Sequence, residues 1–153
     1  MMQRVEFRLV RPEETALIRE VAALDRLSVG ADAWSEDTLS EECGRDGGFV
    51  LACLTENAEL CGFAVFSTVL DEGCLNSIAV GEGFRRQHIG EGLISEMTEI
   101  LRSRGVKMIS LEVRESNAAA RGLYEKSGFT CRGVRKNFYR GPKENAAIYL
   151  MEI

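Results

Sequence analysis

LEVRESNAAARGLYEKSGF, residues 111–129, compresses a strand end, a capped helix and a helix stop into one short run. Leu111 and Val113 alternate with Glu112 and Arg114, the period of a half-buried strand. Ser116 and Asn117 are residues that cap helices, and Ala118 to Ser127 follow as a short helix. Gly128 supplies the left-handed stop. A strand that hands directly to a helix, and then to the apolar Phe129, is the grammar of a mixed α/β layer.

Working outward, the strand holding Glu112 starts near Val106. Before it, Ile89, Leu93, Ile94, Met97, Ile100 and Leu101 mark one face of a helix ending near Gly105. Upstream are strands at Val5 to Val10, Phe49 to Leu54, Leu60 to Leu70 and Cys74 to Val80. The second and third are joined by a polar hairpin turn, Thr55 to Glu59. Between the first two strands, Leu17, Ile18, Val21, Leu24 and Leu27 recur at helical spacing, and a second short helix begins at Ser35, with Trp34 at the joint. Downstream, Phe129 to Gly133 and Ala146 to Met151 read as strands joined by a polar excursion carrying Phe138, Tyr139, Gly141 and Pro142. No repeat or linker divides the order, so residues 1–153 read as one α/β domain with a mixed sheet of six to seven strands. Phe63, Met97, Leu123 and Phe129 belong to its core.

The chain has 153 residues, of which 24 are acidic and 19 basic, giving a formal charge of −5. That balance disfavours direct, sequence-independent nucleic-acid binding. No apolar run reaches the roughly 20 residues of a membrane span and the first ten residues lack a secretion-signal core, so a cytoplasmic protein with no membrane partner is expected. Five widely spaced cysteines without a CxxC pair read as reduced, buried thiols. His88 is the single histidine. A metal centre built on several imidazoles is therefore excluded, and a nucleophilic triad would have to route through His88 with no GxSxG elbow in sight.

Arg85, Arg86, Gln87, His88, Ile89, Gly90 and Glu91 lie between a strand and an amphipathic helix, where unpaired amides and the helix dipole favour an anion. Two arginines add charge, and glycine at 90 and 92 would let a phosphate approach the backbone. The segment has neither the GxxxxGK[ST] of nucleotide triphosphatases nor GxGxxG.

This loop resembles the acyl-CoA pyrophosphate loop of the GNAT acetyltransferase superfamily, [QR]-x-x-G-x-[GA], with Arg85 first, Gly90 last and His88 where the family has glycine. The runs LNSIAV, RRQHIGEGL, LEVRESNAAARGLYEKSGF and VRKNFYR are in turn similar to the RimI-type ribosomal-protein alanine N-acetyltransferases, from Trp34 to the C-terminus. The resemblance implies the GNAT fold, with the fourth and fifth strands splayed and acetyl-CoA entering between them. The backbone of Ile78, Ala79 and Val80 would hold the pantetheine arm and the Arg85 to Glu91 loop its diphosphate. It further implies Glu112 as general base, acting directly or through one water, Tyr124 as general acid to the thiolate and Asn117 as a CoA contact. Trp34 and Tyr139 would stand at the peptide entrance, with Phe138 where the pattern commonly has a second tyrosine. No metal is implied.

Each position also has a plainer account. Glu112 could be a solvated strand carboxylate, Tyr124 a core tyrosine, Asn117 only a helix cap, and Trp34 and Tyr139 surface-packed aromatics. For the acceptor, an α-amine with a pKa near 7.7 to 8.0 surrenders its proton about 3 to 4 kcal/mol more readily than lysine, which suits a single glutamate base. The resemblance points to the same acceptor class, the N-terminal alanine of a basic small-subunit ribosomal protein. Charge agrees: residues 1–70 carry six basic and thirteen acidic side chains, against thirteen basic and eleven acidic in 71–153. A small-amine acetyltransferase and a noncatalytic acetyl-CoA-binding module are the alternatives.

Overall fold

The continuous apolar run Phe49 to Leu54 is buried throughout, as a strand covered on both faces must be. The computed structural model describes residues 4–153. Seven strands, β1 (Val5–Leu9), β2 (Gly48–Thr55), β3 (Leu60–Val69), β4 (Glu72–Val80), β5 (Met108–Arg114), β6 (Thr130–Arg140) and β7 (Lys143–Glu152), form one sheet. Its order is β1-β2-β3-β4-β5-β7-β6. Helices α1 (Thr15–Val29) and α2 (Glu36–Gly44) precede β2, α3 (Ile89–Ser103) precedes β5, and α4 (Ala118–Lys126) follows it.

Period decides which face each helix takes. Ile18, Val21 and Ala22 of α1 and Leu39 of α2 pack with Val50, Ala52, Phe63, Val65 and Ala79 on one face. On the other, Leu93, Ile94, Met97 and Leu101 of α3 meet Leu51, Phe66, Leu75, Leu111, Tyr124 and Tyr149. Phe63, Met97 and Phe129 are core as expected, and Leu123 is partly buried against it. Ser35 caps α2 by accepting from Thr38 N at 3.1 Å, and Gly128, at φ 108°, ends the α4 segment.

The sheet opens in the middle. Strands β4 and β5 are parallel neighbours only from Glu72↔Met108 to Cys74↔Ser110. Beyond that, Ser77 opposes Val65 and Leu75 opposes Phe66, so Asn76 is an extra residue, a bulge that bends β4 away.

Two expectations are corrected. The polar stretch after Gly133 is not an excursion: β6 continues to Arg140 and pairs back on β7 as a long hairpin. As the outermost strand it is mostly exposed, so no apolar alternation marks it. Of the cysteines, Cys53 and Cys61 are buried, but Cys131 is exposed because it lies on that edge.

Candidate active site

The fork between β4 and β5 is a cleft of about 430 Å³ lined by Leu75, Ser77, Ile78, Glu112, Arg114, Asn117, Tyr124 and Tyr139, among others. Strand alternation puts Leu111 and Val113 in the α3 core and turns Glu112 to the opposite face. Tyr124 belongs to that core, its ring 5.9 Å from Phe129 and 6.0 Å from Tyr149. Carboxylate and phenol therefore come from opposite faces and share one cleft because the sheet is open between them.

Glu112 is partly buried, and its Oε2 has no hydrogen-bond partner. An arginine from β6, Arg135, stands 3.5 Å from that oxygen. Burial pushes the Tyr124 phenol well above its ordinary range, so it stays protonated. Tyr139 is pushed up to about 12, chiefly by burial and then by the Asp32 and Glu112 charges. Asn117 caps α4, its Oδ1 accepting from Ala120 N at 3.1 Å, while also lining the cleft. The cap and the contact position coexist.

On the other side of the fork, Gly81 N donates to the Cys61 carbonyl at 2.7 Å. Antiparallel alternation then turns the peptide groups of Ala79 toward β3 and leaves those of Ile78 and Val80 facing the open side. Ala79 thus drops out of the expected backbone trio, its methyl buried under α1.

The loop before α3 has the features of an anion cradle. Arg86 at φ 63° and His88 at φ 61° are both left-handed. No side chain caps α3, so its first-turn amides are open. Arg85 and Arg86 are exposed, and Gln87 Oε1 is buried without a partner. The glycines also have a packing reason. A Cβ on Gly90 would meet Leu123 of α4 at 3.0 Å, and one on Gly92 would meet the Phe7 ring at 2.6 Å. They let α3 pack against α4 and β1. Glu91 turns its carboxylate to Lys126 at 3.1 Å and His88 at 3.3 Å, which together hold it below its ordinary range.

Trp34 is not among the cleft-lining residues. It packs against the α1 core, and its backbone N–H donates to buried Asp25 at 2.8 Å. Two further residues carry no signal in the sequence. Asp25 additionally accepts from Ser77 Oγ at 2.8 Å. Arg114 reaches Asp32, Pro142 and Glu144. Both act through partners far along the chain, which no local pattern announces. Among the described residues no group of three metal-ligating side chains converges, and no described helix is long and apolar enough to cross a membrane.

A family model described as "Acetyltransferase (GNAT) family" matches residues 16–129. The chain belongs to the GNAT acetyltransferases. Within this family it is 38% identical over 122 residues to the [ribosomal protein bS18]-alanine N-acetyltransferase of Escherichia coli K12, covering 78% of this chain and 81% of that protein. The Haemophilus influenzae protein of the same description is 40% identical over 118 residues, with coverages of 75% and 79%. In three dimensions, the crystal structure of the ribosomal-protein-S18-alanine N-acetyltransferase from Escherichia coli superposes with a TM-score of 0.83 and 30% identity, over 98% of this chain and 94% of that one. The splayed sheet expected from the GNAT resemblance is the fold observed.

Proposed function

We propose that this GNAT enzyme moves an acetyl group from acetyl-CoA directly to the N-terminal α-amine of a protein, with the alanine terminus of a basic small-subunit ribosomal protein as acceptor. The observation that carries the reading is the convergence of Glu112 and Tyr124 on one cleft through the fork, in a chain closely related to enzymes described as acting on ribosomal protein bS18.

The residues present fit the co-substrate. The open amides before α3, with Arg85 and Arg86, suit a diphosphate, and the free peptide groups of Ile78 and Val80 suit the amides of a pantetheine arm. Bound there, acetyl-CoA supplies an activated thioester. Glu112 takes a proton from the incoming ammonium, directly or through one water, freeing the lone pair that forms the new C–N bond. As the C–S bond breaks, Tyr124 donates its phenolic proton to the departing sulfur. The second proton of the attacking nitrogen returns to the Tyr124 phenolate as the amide forms, Glu112 gives its proton to solvent, and no acyl-enzyme is required.

The test is turnover with acetyl-CoA on an Ala-starting basic peptide beside free polyamines. Acetylation of the peptide at its N-terminus, located by mass spectrometry, is the expected result. Turnover on the free amines alone overturns the reading.

A further inference from the structure

Arg114 occupies a position that the transfer chemistry does not use. It is the last residue of β5 and shares the face of Glu112. Its side chain is 17% exposed. Nε donates to Asp32 Oδ2 at 3.0 Å, in the turn between α1 and α2. Nη1 donates to the Pro142 carbonyl at 2.6 Å and to Glu144 Oε1 at 3.3 Å, at the tip of the β6–β7 hairpin. The guanidinium carbon lies 4.3 Å from the centre of the Tyr139 ring. Glu144 in turn accepts from Ser116 N at 2.6 Å, fixing the segment that leads to Asn117.

One planar cation thus joins two segments that are remote in sequence and flank the same mouth. Asp32, Arg114 and Tyr139 all line the cleft. A lysine, with one compact ammonium, cannot serve both sides and lie flat on the tyrosine. We propose that Arg114 is a positioning residue, a latch that holds the α1–α2 turn to the β6–β7 hairpin and so sets the width and order of the acceptor entrance. This rests on the peptide-acceptor reading only for the identity of what enters. The latch acts on acceptor binding, because neither segment belongs to the diphosphate loop or the open edge of β4, and Asn117 is held independently by Ala120 N at 3.1 Å.

The experiment compares wild type with Arg114→Met, Arg114→Lys, Asp32→Asn and Glu144→Gln. Arg114→Met is expected to raise the peptide KM by about tenfold, the loss of about 1.4 kcal/mol of acceptor binding. The KM for acetyl-CoA and kcat at saturating peptide are expected to stay within about twofold. Lysine restores only part of the loss, and the two carboxamide variants fall between, which keeps the test alive if the methionine variant does not fold. Hydrogen exchange on the unliganded enzyme gives a readout independent of the acceptor. Amides of residues 137–141, 143–145 and Ser116 exchange faster in the variants while those of β2 and β3 do not. Equal loss in kcat and in both KM values, or unchanged exchange at the hairpin, overturns the latch. If wild type does not acetylate the peptide but hairpin exchange still responds, the acceptor reading fails and the latch stands.

Discussion

Glu112 is held in a region of unfilled acceptor capacity: its Oε2 is shielded from water, lacks a hydrogen bond and has one guanidinium at 3.5 Å. On the proposed mechanism a carboxylate so placed is available to an incoming ammonium, which replaces the loose contact with Arg135 by a direct one. Glu112→Gln keeps the shape and removes the proton acceptor, so the rate at neutral pH should fall about 100-fold or more, while calorimetry finds acetyl-CoA affinity nearly intact. Wild-type turnover in that variant would remove Glu112 from the mechanism. His88 presents the opposite case, a side chain whose backbone is the constraint. At φ 61° it sits where glycine is at ease, and its imidazole is spent on Glu91. His88→Gly should relieve about 1 kcal/mol, which raises Tm by roughly 2–4 °C in a chain of this size. A large loss of acetyl-CoA affinity in that variant would instead assign the imidazole to the phosphates. Glu112 is legible in the sequence because a period of two fixes its face. Trp34 is not, because the same indole at a joint can face the cleft or the core, and only the contacts made in the fold decide.

Among the elements, α1 does more than cover the sheet. At its start, Glu14 takes both Arg8 guanidinium nitrogens, at 2.8 and 2.7 Å, and the Arg11 N–H, which hold its carboxyl down at about 2. Further along, Asp25 lies fully buried, joining the Trp34 backbone to Ser77 just beyond the Asn76 bulge. Burial raises the Asp25 pKa, against the two hydrogen bonds that lower it. The sign follows. Below the unfolded carboxyl's range both states hold the proton; as pH rises the unfolded chain ionises first, and stability declines through the higher folded value. The Asp25→Asn variant lacks that titration, and its amide can accept from Trp34 N–H and donate to Ser77 Oγ. Thermal melts should therefore show this variant gaining on wild type over the pH interval that opens at about 4, where the unfolded carboxyl ionises. Should it lose ground over that interval, the account is refuted. The helices and inner strands are readable from apolar spacing, whereas the full reach of β6 is not, because a strand at the sheet edge with water on most of its surface has no buried face to write a pattern.

At the scale of the whole molecule, charge is unevenly divided. The acidic α1 and α2 region lies at one flank of the cleft, while Arg132, Arg135, Lys136 and Arg140 line β6 at the other. A net charge of −5 favours encounter with a basic acceptor tail, so raising ionic strength from about 0.05 to 0.5 M, which shortens the screening length several-fold, should raise the KM for a basic peptide. The KM for an Ala-starting peptide without charged side chains should stay level, and equal salt sensitivity for both would argue against charge steering.

The β4–β5 fork has a consequence for what the protein refuses. Unpaired strand edges normally invite another chain to add itself, the route by which sheets aggregate. Here the free peptide groups of Ile78 and Val80 face inward and the opposite arm of the fork carries Glu112 and Arg114. The angle closes within a few residues at Cys74 and Ser110, so an added strand cannot run the full length of the edge. Stickiness that would be a hazard on the rim is, at the centre, limited to the depth of the fork.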